Sequence, residues 1–300
     1  MGQGVLHAAT GHLRQRHGAN RNTQGNGFMK QLDDWTRYAA KFLASGQRPH
    51  FAPAREILDI HQQQIDHAKG DKCAQLKTLI LGATPELADL ALANNCRVLR
   101  VDCNPVMFEA AKSRQKIADR SNETIVIGEW LNLHMIGDGE IDLVLGDASL
   151  NNIPHALMPQ FLNEIARITR PGSLISIKQI LFPDEKVASY EFHNAVNAYR
   201  TGKISDNEFY RILRFYSFIA EGYDPITHVL DAEKVFAAIQ KRHAMNQLTD
   251  AEFEFLYSRH NTIQHTIYTQ TAQRQLLERL GDCRIVQQGN ELFKVCVIRR

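Results

Sequence analysis

The sequence has no apolar run approaching the roughly 20 residues of a membrane span, which argues against an integral membrane protein. It has no strong excess of either charge. Thirty-five Lys and Arg face 33 Asp and Glu, a net charge of +2, so the basic footprint of a nucleic-acid binder is missing. Cysteine is sparse: Cys73, Cys96, Cys103, Cys283 and Cys296, with no CxxC pair. An odd count without that spacing excludes a disulfide framework or a zinc ribbon and suits free thiols in a reducing compartment. There is no HExxH, and His260 and His265 are badly spaced for one helical face, so no metal site is expected. Residues 1–32 contain no Asp or Glu and no apolar h-region, which speaks against a secretory signal. Leu6 breaks the myristoylation pattern. Residues 1–27 read as a disordered polar tail, and the protein is expected to be cytoplasmic.

What is present is ordinary for a folded protein: 300 residues, 44% hydrophobic and 23% charged, enough for one or two domains. Met29, Leu32, Trp35, Tyr38, Ala39 and Phe42 recur at helical spacing. The break at 45–49 ends that helix, and Pro53 opens the next, so residues 28–70 form a helical N-terminal lid. From 76 to 182, β-rich runs occur at Leu76–Leu81, Arg97–Val101, Thr124–Ile127, Ile141–Leu145 and Leu174–Leu181. Helical stretches separate the first three and the last two. Near-continuous apolar strands between helices indicate a parallel sheet covered on both faces. Residues 184–280 read as almost all helix, with capping boxes at Ser205/Glu208 and Thr249/Glu252 and an N-cap at Asp231. Arg284–Gln287 and Leu292–Ile298 flank Gly289-Asn290, a hairpin that adds an antiparallel pair.

The first βαβ unit carries the chemistry. Strand Leu79-Ile80-Leu81 runs into Gly82-Ala83-Thr84-Pro85-Glu86-Leu87. Gly82 lets a ligand approach the backbone; Thr84 and Pro85 suit the N-cap and first helical position. Asp102, 20 residues beyond Gly82, ends the next strand, where a carboxylate can accept hydrogen bonds from ribose hydroxyls. The positions of a G-x-G-x-x-G fingerprint hold Gly82, Thr84 and Leu87, so two glycines are missing. Glu86 at the helix start is a poor neighbour for a pyrophosphate, and tolerates an ammonium better. S-adenosylmethionine has that group and no phosphate, so it is favoured over NAD.

Strand three ends at Gly128-Glu129-Trp130, where a carboxylate can take the adenine amino group and an indole can cover the ring. Strand four ends at Asp147-Ala148-Ser149, on the carboxyl edge where open α/β sheets bind ligands.

With LILGATPEL, VDCNP, GEWLNL, DLVLGDASLNNIP and RPGSLISI on residues 76–182, the chain resembles the core of a class I S-adenosylmethionine-dependent methyltransferase. The GxTPEL and GEW variants look like a subgroup of that superfamily. The resemblance implies an α/β, Rossmann-like fold: a mostly parallel seven-stranded sheet with an antiparallel last strand. A helical insertion, 184–262, would sit within a methyltransferase domain spanning 71–300. It also implies roles. Gly82, Thr84 and Glu86 would line the methionine moiety. Asp102 would hold the ribose, with Cys103, Asn104 and Met107 beside it. Gly128, Glu129 and Trp130 would flank adenine, and Asp147, Ala148 and Ser149 would lie near the transferable methyl. Tyr38 of the lid would cover the cofactor.

Asp147 is the candidate general base, with His155 a second; each also has a plainer reading, as an orienting group and as a surface residue at a helix start. Lys178, inside strand five, suits either a buried carboxylate partner or the acceptor. The expected acceptor is a small molecule with an O or N nucleophile; nucleic acid and membrane are not expected partners. A non-catalytic cofactor-binding relative, an RNA methyltransferase and an NAD oxidoreductase are the competing readings.

Overall fold

The structure is a computed structural model that describes residues 32–41, 43–44, 52–70, 75–287 and 292–300. The expected polar tail, the break at 45–49 and the Gly289-Asn290 turn lie outside those residues.

Ten strands are described. They are β1 (Lys77–Leu81), β2 (Arg97–Asp102), β3 (Glu123–Ile127), β4 (Ile141–Asp147), β5 (Thr169–Gln179), β6 (Tyr223–Asp224), β7 (Val229–Leu230), β8 (His265–Thr266), β9 (Asp282–Val286) and β10 (Lys294–Arg299). Seven form one sheet in the order β3-β2-β1-β4-β5-β10-β9. β1 to β5 pair in parallel, while β10 runs antiparallel to both β5 and β9. The fold is Rossmann-like. β5 begins at Thr169, five residues ahead of its expected start, and has a register irregularity between there and Leu174, opposite Ile141 and Leu143.

Both faces of the sheet are covered, which is why its strands read as apolar runs rather than alternating ones. Leu79, Leu81 and Val144 pack on one face against Phe161, Leu162 and Ile165 of helix α5 (Met158–Ile168). Ile80, Leu143 and Leu145 alternate to the other face, against Ile65 of α2 (Arg55–Lys69) and Leu87 of α3 (Pro85–Ala93). Further along α2, Ile57 and Ile60 meet Val295 and Val297 of β10. Of the segment expected as a lid, therefore, α2 covers the sheet, while helix α1 (residues 32–41) approaches the carboxyl edge. Helix α2 starts at Arg55 with Ala54 at its N-cap, two residues after the expected Pro53.

Strand order reverses at β1, which has β2 on one side and β4 on the other. Connections leave in opposite directions there, and a crevice opens at the carboxyl ends of the strands. Helix α4 (Pro105–Lys112) borders it beyond β2.

After β5 the chain makes the expected helical excursion: α6 (Phe192–Arg200), α7 (Asp206–Phe215), α8 (Ile219–Gly222), α9 (Ala232–Ala244) and α10 (Asp250–Ser258). Both capping boxes and the Asp231 cap form as expected. The excursion is not all helix: β6, β7 and β8 make a small antiparallel sheet within it. Phe209, Phe215, Phe218 and Phe293 are buried in its core. Helix α11 (Gln270–Leu277) then leads back to β9.

Candidate active site

The glycine turn is built by backbone chemistry. Gly82 has φ +115°, a region open to glycine and strained for other residues. Its N–H donates to the Val101 carbonyl at 2.9 Å, tying the end of β1 to β2. The same carbonyl accepts the indole N–H of Trp130 at 2.7 Å. A methyl group at Gly82 would touch Trp130 and the second oxygen of Asp102, each at 3.7 Å. The turn is braced from below by buried Arg100, whose guanidinium donates to the Ala83 carbonyl at 2.6 Å and pairs with Glu123 at 3.1 Å. Sequence reasoning did not single out Arg100, the second of two arginines in β2 and the buried one.

A cavity at this edge brings together nearly every expected cofactor residue. Tyr38, Gly82, Thr84, Glu86, Asp102, Cys103, Asn104, Met107, Gly128, Glu129, Trp130, Asp147 and Ala148 all line it. Thr84 stands at the N-cap of α3 without a side-chain capping bond. One Asp102 oxygen accepts the Asn104 N–H at 2.9 Å. Burial, opposed by that bond and by Arg100, pushes the Asp102 carboxyl up to about 6. Burial, then the charges of Asp102 and Glu129, pushes the Cys103 thiol up to about 12, so it is no nucleophile. Asn104 caps α4 through the Val106 N–H and donates to the Thr36 hydroxyl of α1 at 3.0 Å. That bond ties the lid helix to the tip of β2.

Two expected residues are not brought there. Ser149 is buried, but its hydroxyl turns away to donate to the Leu81 carbonyl at 2.8 Å, clamping β4 to β1. His155 follows Pro154 into a short 3-10 turn that leaves it exposed. Its Nδ1 lies 2.7 Å from the Tyr268 hydroxyl, and its ring sits 4.6 Å from that of His228.

Asp147 and Lys178 are register partners on β4 and β5. The Lys178 ammonium lies 2.5 Å from the Asp147 carboxylate, and both are buried. The structure thus decides the Lys178 alternatives in favour of the carboxylate partner. Desolvation still holds the Asp147 carboxyl above the ordinary carboxylate range, although Lys178 opposes it. The next residue, Ala148, has φ +56°, strained for a residue with a side chain, and its N–H donates to the Lys178 carbonyl. Such strain persists where surrounding structure enforces it, commonly at functional sites.

Among the cavity residues that the sequence did not assign to the site are Arg114, Asn152, His265 and Phe293. Arg114 pairs with Glu86 at 3.4 Å, so the carboxylate at the start of α3 is partly compensated. The pair presents both signs to the cavity, a match for the zwitterionic end of an amino acid. No spacing pattern links residues 86 and 114 or draws in His265, because each arrives on a separate element. The only two tryptophans, Trp35 and Trp130, both line the cavity.

Residues 82–172 match the family described as "Methyltransferase domain". No curated protein matches the chain. Among solved structures, "Putative Zn-dependent Alcohol Dehydrogenases from Rhodobacter sphaeroides" is similar at TM-score 0.55 and 13% identity, covering 90% of this chain and 98% of that one. That likeness is one of fold alone. The Burkholderia thailandensis 1,6-didemethyltoxoflavin-N1-methyltransferase, solved with its substrate and S-adenosylhomocysteine, gives TM-score 0.47 at 12% identity. It covers 95% of this chain and 93% of its own. A SAM-dependent methyltransferase from Methanosarcina mazei gives 0.44 at 14%, covering 75% and 92%. Among the described residues, no helix is long and apolar enough to cross a membrane.

Proposed function

We propose that this protein, whose residues 82–172 match a methyltransferase domain, is a class I S-adenosylmethionine-dependent methyltransferase that methylates a small molecule at oxygen or nitrogen. The cofactor is S-adenosylmethionine; when bound, it supplies a methyl group activated on a sulfonium. The residues present suit it. Asp102 has an oxygen facing the space above Gly82, placed to accept ribose hydroxyls. Glu86 and Arg114 offer partners to an ammonium and a carboxylate. Glu129 and Trp130 stand where an adenine would be flanked. The turn lacks the glycine fingerprint, and among the described residues the cation at the α3 N-terminus, Arg114, is paired with Glu86, which disfavours a dinucleotide.

The observation that carries the reading is the buried Asp147–Lys178 pair on the wall of the same cavity as Asp102. Methyl transfer by in-line displacement depends mainly on positioning. Asp147 accepts the O–H or N–H of the acceptor and, with a raised pKa, holds that proton as the nucleophile is alkylated. Lys178 keeps Asp147 oriented. Helix α1 with Trp35 and Tyr38 and β8 with His265 wall the cavity, which suits a small acceptor. The near-zero net charge supports the same choice over RNA.

The test is a methyl-transfer screen with labelled cofactor and small phenols, amines and heteroaromatics. Turnover that Asp147→Asn lowers by about a hundredfold or more, within the range of general-base effects, supports the assignment. Cofactor binding without turnover on any acceptor would identify a non-catalytic binding protein instead.

A further inference from the structure

One buried cation near the cavity has no ion-pair partner among the described residues. The Arg214 side chain, on α7, is 4% exposed. One of its terminal nitrogens donates to the Ile263 carbonyl at 2.8 Å, and the guanidinium lies 5.0 Å over the Phe215 ring. Its Nε and other terminal nitrogen make no well-formed hydrogen bond among the described residues; the neutral Tyr210 hydroxyl is the nearest side-chain partner, and no carboxylate there forms an ion pair with it. Asp231, whose charge reaches Arg214, is occupied in capping α9.

This charge sits directly behind the cavity wall. Ile263, which takes the Arg214 bond, packs against Tyr38 of the lid helix. His265, two residues on, lines the cavity while 4% exposed, and its Nδ1 has no partner among the described residues. Burial, then the charge of Arg214, pushes the His265 ring down to about 3, so it is neutral and free to donate one hydrogen bond. Phe215 neighbours both, with the Arg214 guanidinium over its ring and the imidazole 5.7 Å away by ring centres. Beyond it Phe293 lines the cavity, with the Lys178 ammonium 5.1 Å over its ring. An uncompensated guanidinium in a desolvated setting is unfavourable until an anion enters its field.

We propose that the part of the cavity walled by His265, Tyr38 and Phe293 binds an anionic group of the methyl acceptor, a carboxylate in the simplest case. Arg214 supplies the charge that selects it and His265 a hydrogen bond. The inference rests on the cofactor reading above. That reading gives the cofactor's own carboxylate a different cation, Arg114, and so leaves Arg214 to the acceptor.

The test measures binding by calorimetry, with adenosylhomocysteine saturating. The probes are matched carboxylates and amides: benzoate and benzamide, 4-hydroxybenzoate and 4-hydroxybenzamide, indole-3-acetate and indole-3-acetamide. The native protein should prefer the carboxylate of at least one pair by about tenfold or more, the scale of a hydrogen bond to a charged group. Arg214→Lys should keep the preference and Arg214→Met should remove it, both with adenosylhomocysteine affinity unchanged. Should Arg214→Met fail to fold, the native preference and Arg214→Lys still decide. Amides binding as well as acids in every pair would overturn the proposal. So would an Arg214→Met protein that loses adenosylhomocysteine but keeps methylthioadenosine, since the selected carboxylate would then be the cofactor's. A native protein that binds no adenosylhomocysteine yet discriminates acid from amide through Arg214 would sink the cofactor reading and leave the anion site standing.

Discussion

Lys178 and Asp147 face each other across β5 and β4 as a buried ion pair at 2.5 Å. Removing the ammonium alone leaves a carboxylate desolvated and uncompensated. Lys178→Met is expected to cost about 3–5 kcal/mol, the scale for breaking one half of a buried pair. Asp147→Asn with Lys178→Met should recover much of that loss, because no charge remains buried. Urea unfolding of the two single variants and the double one checks this, and simple additivity would refute the coupling.

Asp102 gives the site a pH dependence. Its carboxyl in the folded protein is raised to about 6, mainly by burial. Ribose hydroxyls require the ionised form as acceptor, so cofactor affinity should be full above that value and fall as pH drops through it. At pH 5 the loss should be about tenfold, one pH unit below the midpoint. Titrations with adenosylhomocysteine between pH 5 and 8 read this directly. In Asp102→Asn the affinity should be low and flat with pH.

His61 and His265 set an acid limit on stability. Both are buried, and burial is the main cause that pushes each ring down to about 3. The folded values lie below the unfolded 6.5, so the unfolded chain binds more protons beneath that pH. Their contribution is therefore present above about 6.5 and is lost as pH falls toward 3. At pH 5.5 each histidine should cost about 1.4 kcal/mol relative to neutral pH. Asp102, shifted upward, offsets part of this over the same window. Chemical denaturation from pH 7.5 to 5.5 should show the fall, and His61→Gln should make it shallower.

The two tryptophans serve as built-in reporters. Both line the cavity, and the Trp130 indole N–H is tied to Val101. Adenosylhomocysteine should therefore change the intrinsic emission. Trp130→Phe keeps a ring over Gly82 but loses the bond, at a cost of about 1 kcal/mol in stability. Val101 retains the Gly82 N–H as a donor. Emission indifferent to saturating ligand in both the native protein and Trp35→Phe would contradict the placement.

Local patterns carried most of the site because its cofactor half lies on strand tips. Gly82, Asp102, Trp130 and Asp147 each follow an apolar run, so spacing alone placed them at one edge. Ser149 and His155 lie outside the cavity for a related reason. Each sits in the right segment, but a side-chain rotation toward the Leu81 carbonyl and a 3-10 turn after Pro154 take them out of the cavity. The acceptor half was not legible. His265 and Phe293 come from β8 and the residue before β10, and Arg114 of the cofactor half comes from the turn after α4; only tertiary packing brings these together. The little sheet β6-β7-β8 escaped because two-residue strands carry no period.

The central claim is that this edge of the sheet holds S-adenosylmethionine, and calorimetric titration with adenosylhomocysteine tests it most directly. One molecule should bind per chain, NAD should not compete, and Asp102→Ala should weaken binding by at least about thirtyfold without unfolding the protein, as expected for lost hydrogen bonds to a carboxylate. Binding of NAD with indifference to adenosylhomocysteine, or an affinity that Asp102→Ala leaves untouched, would contradict it.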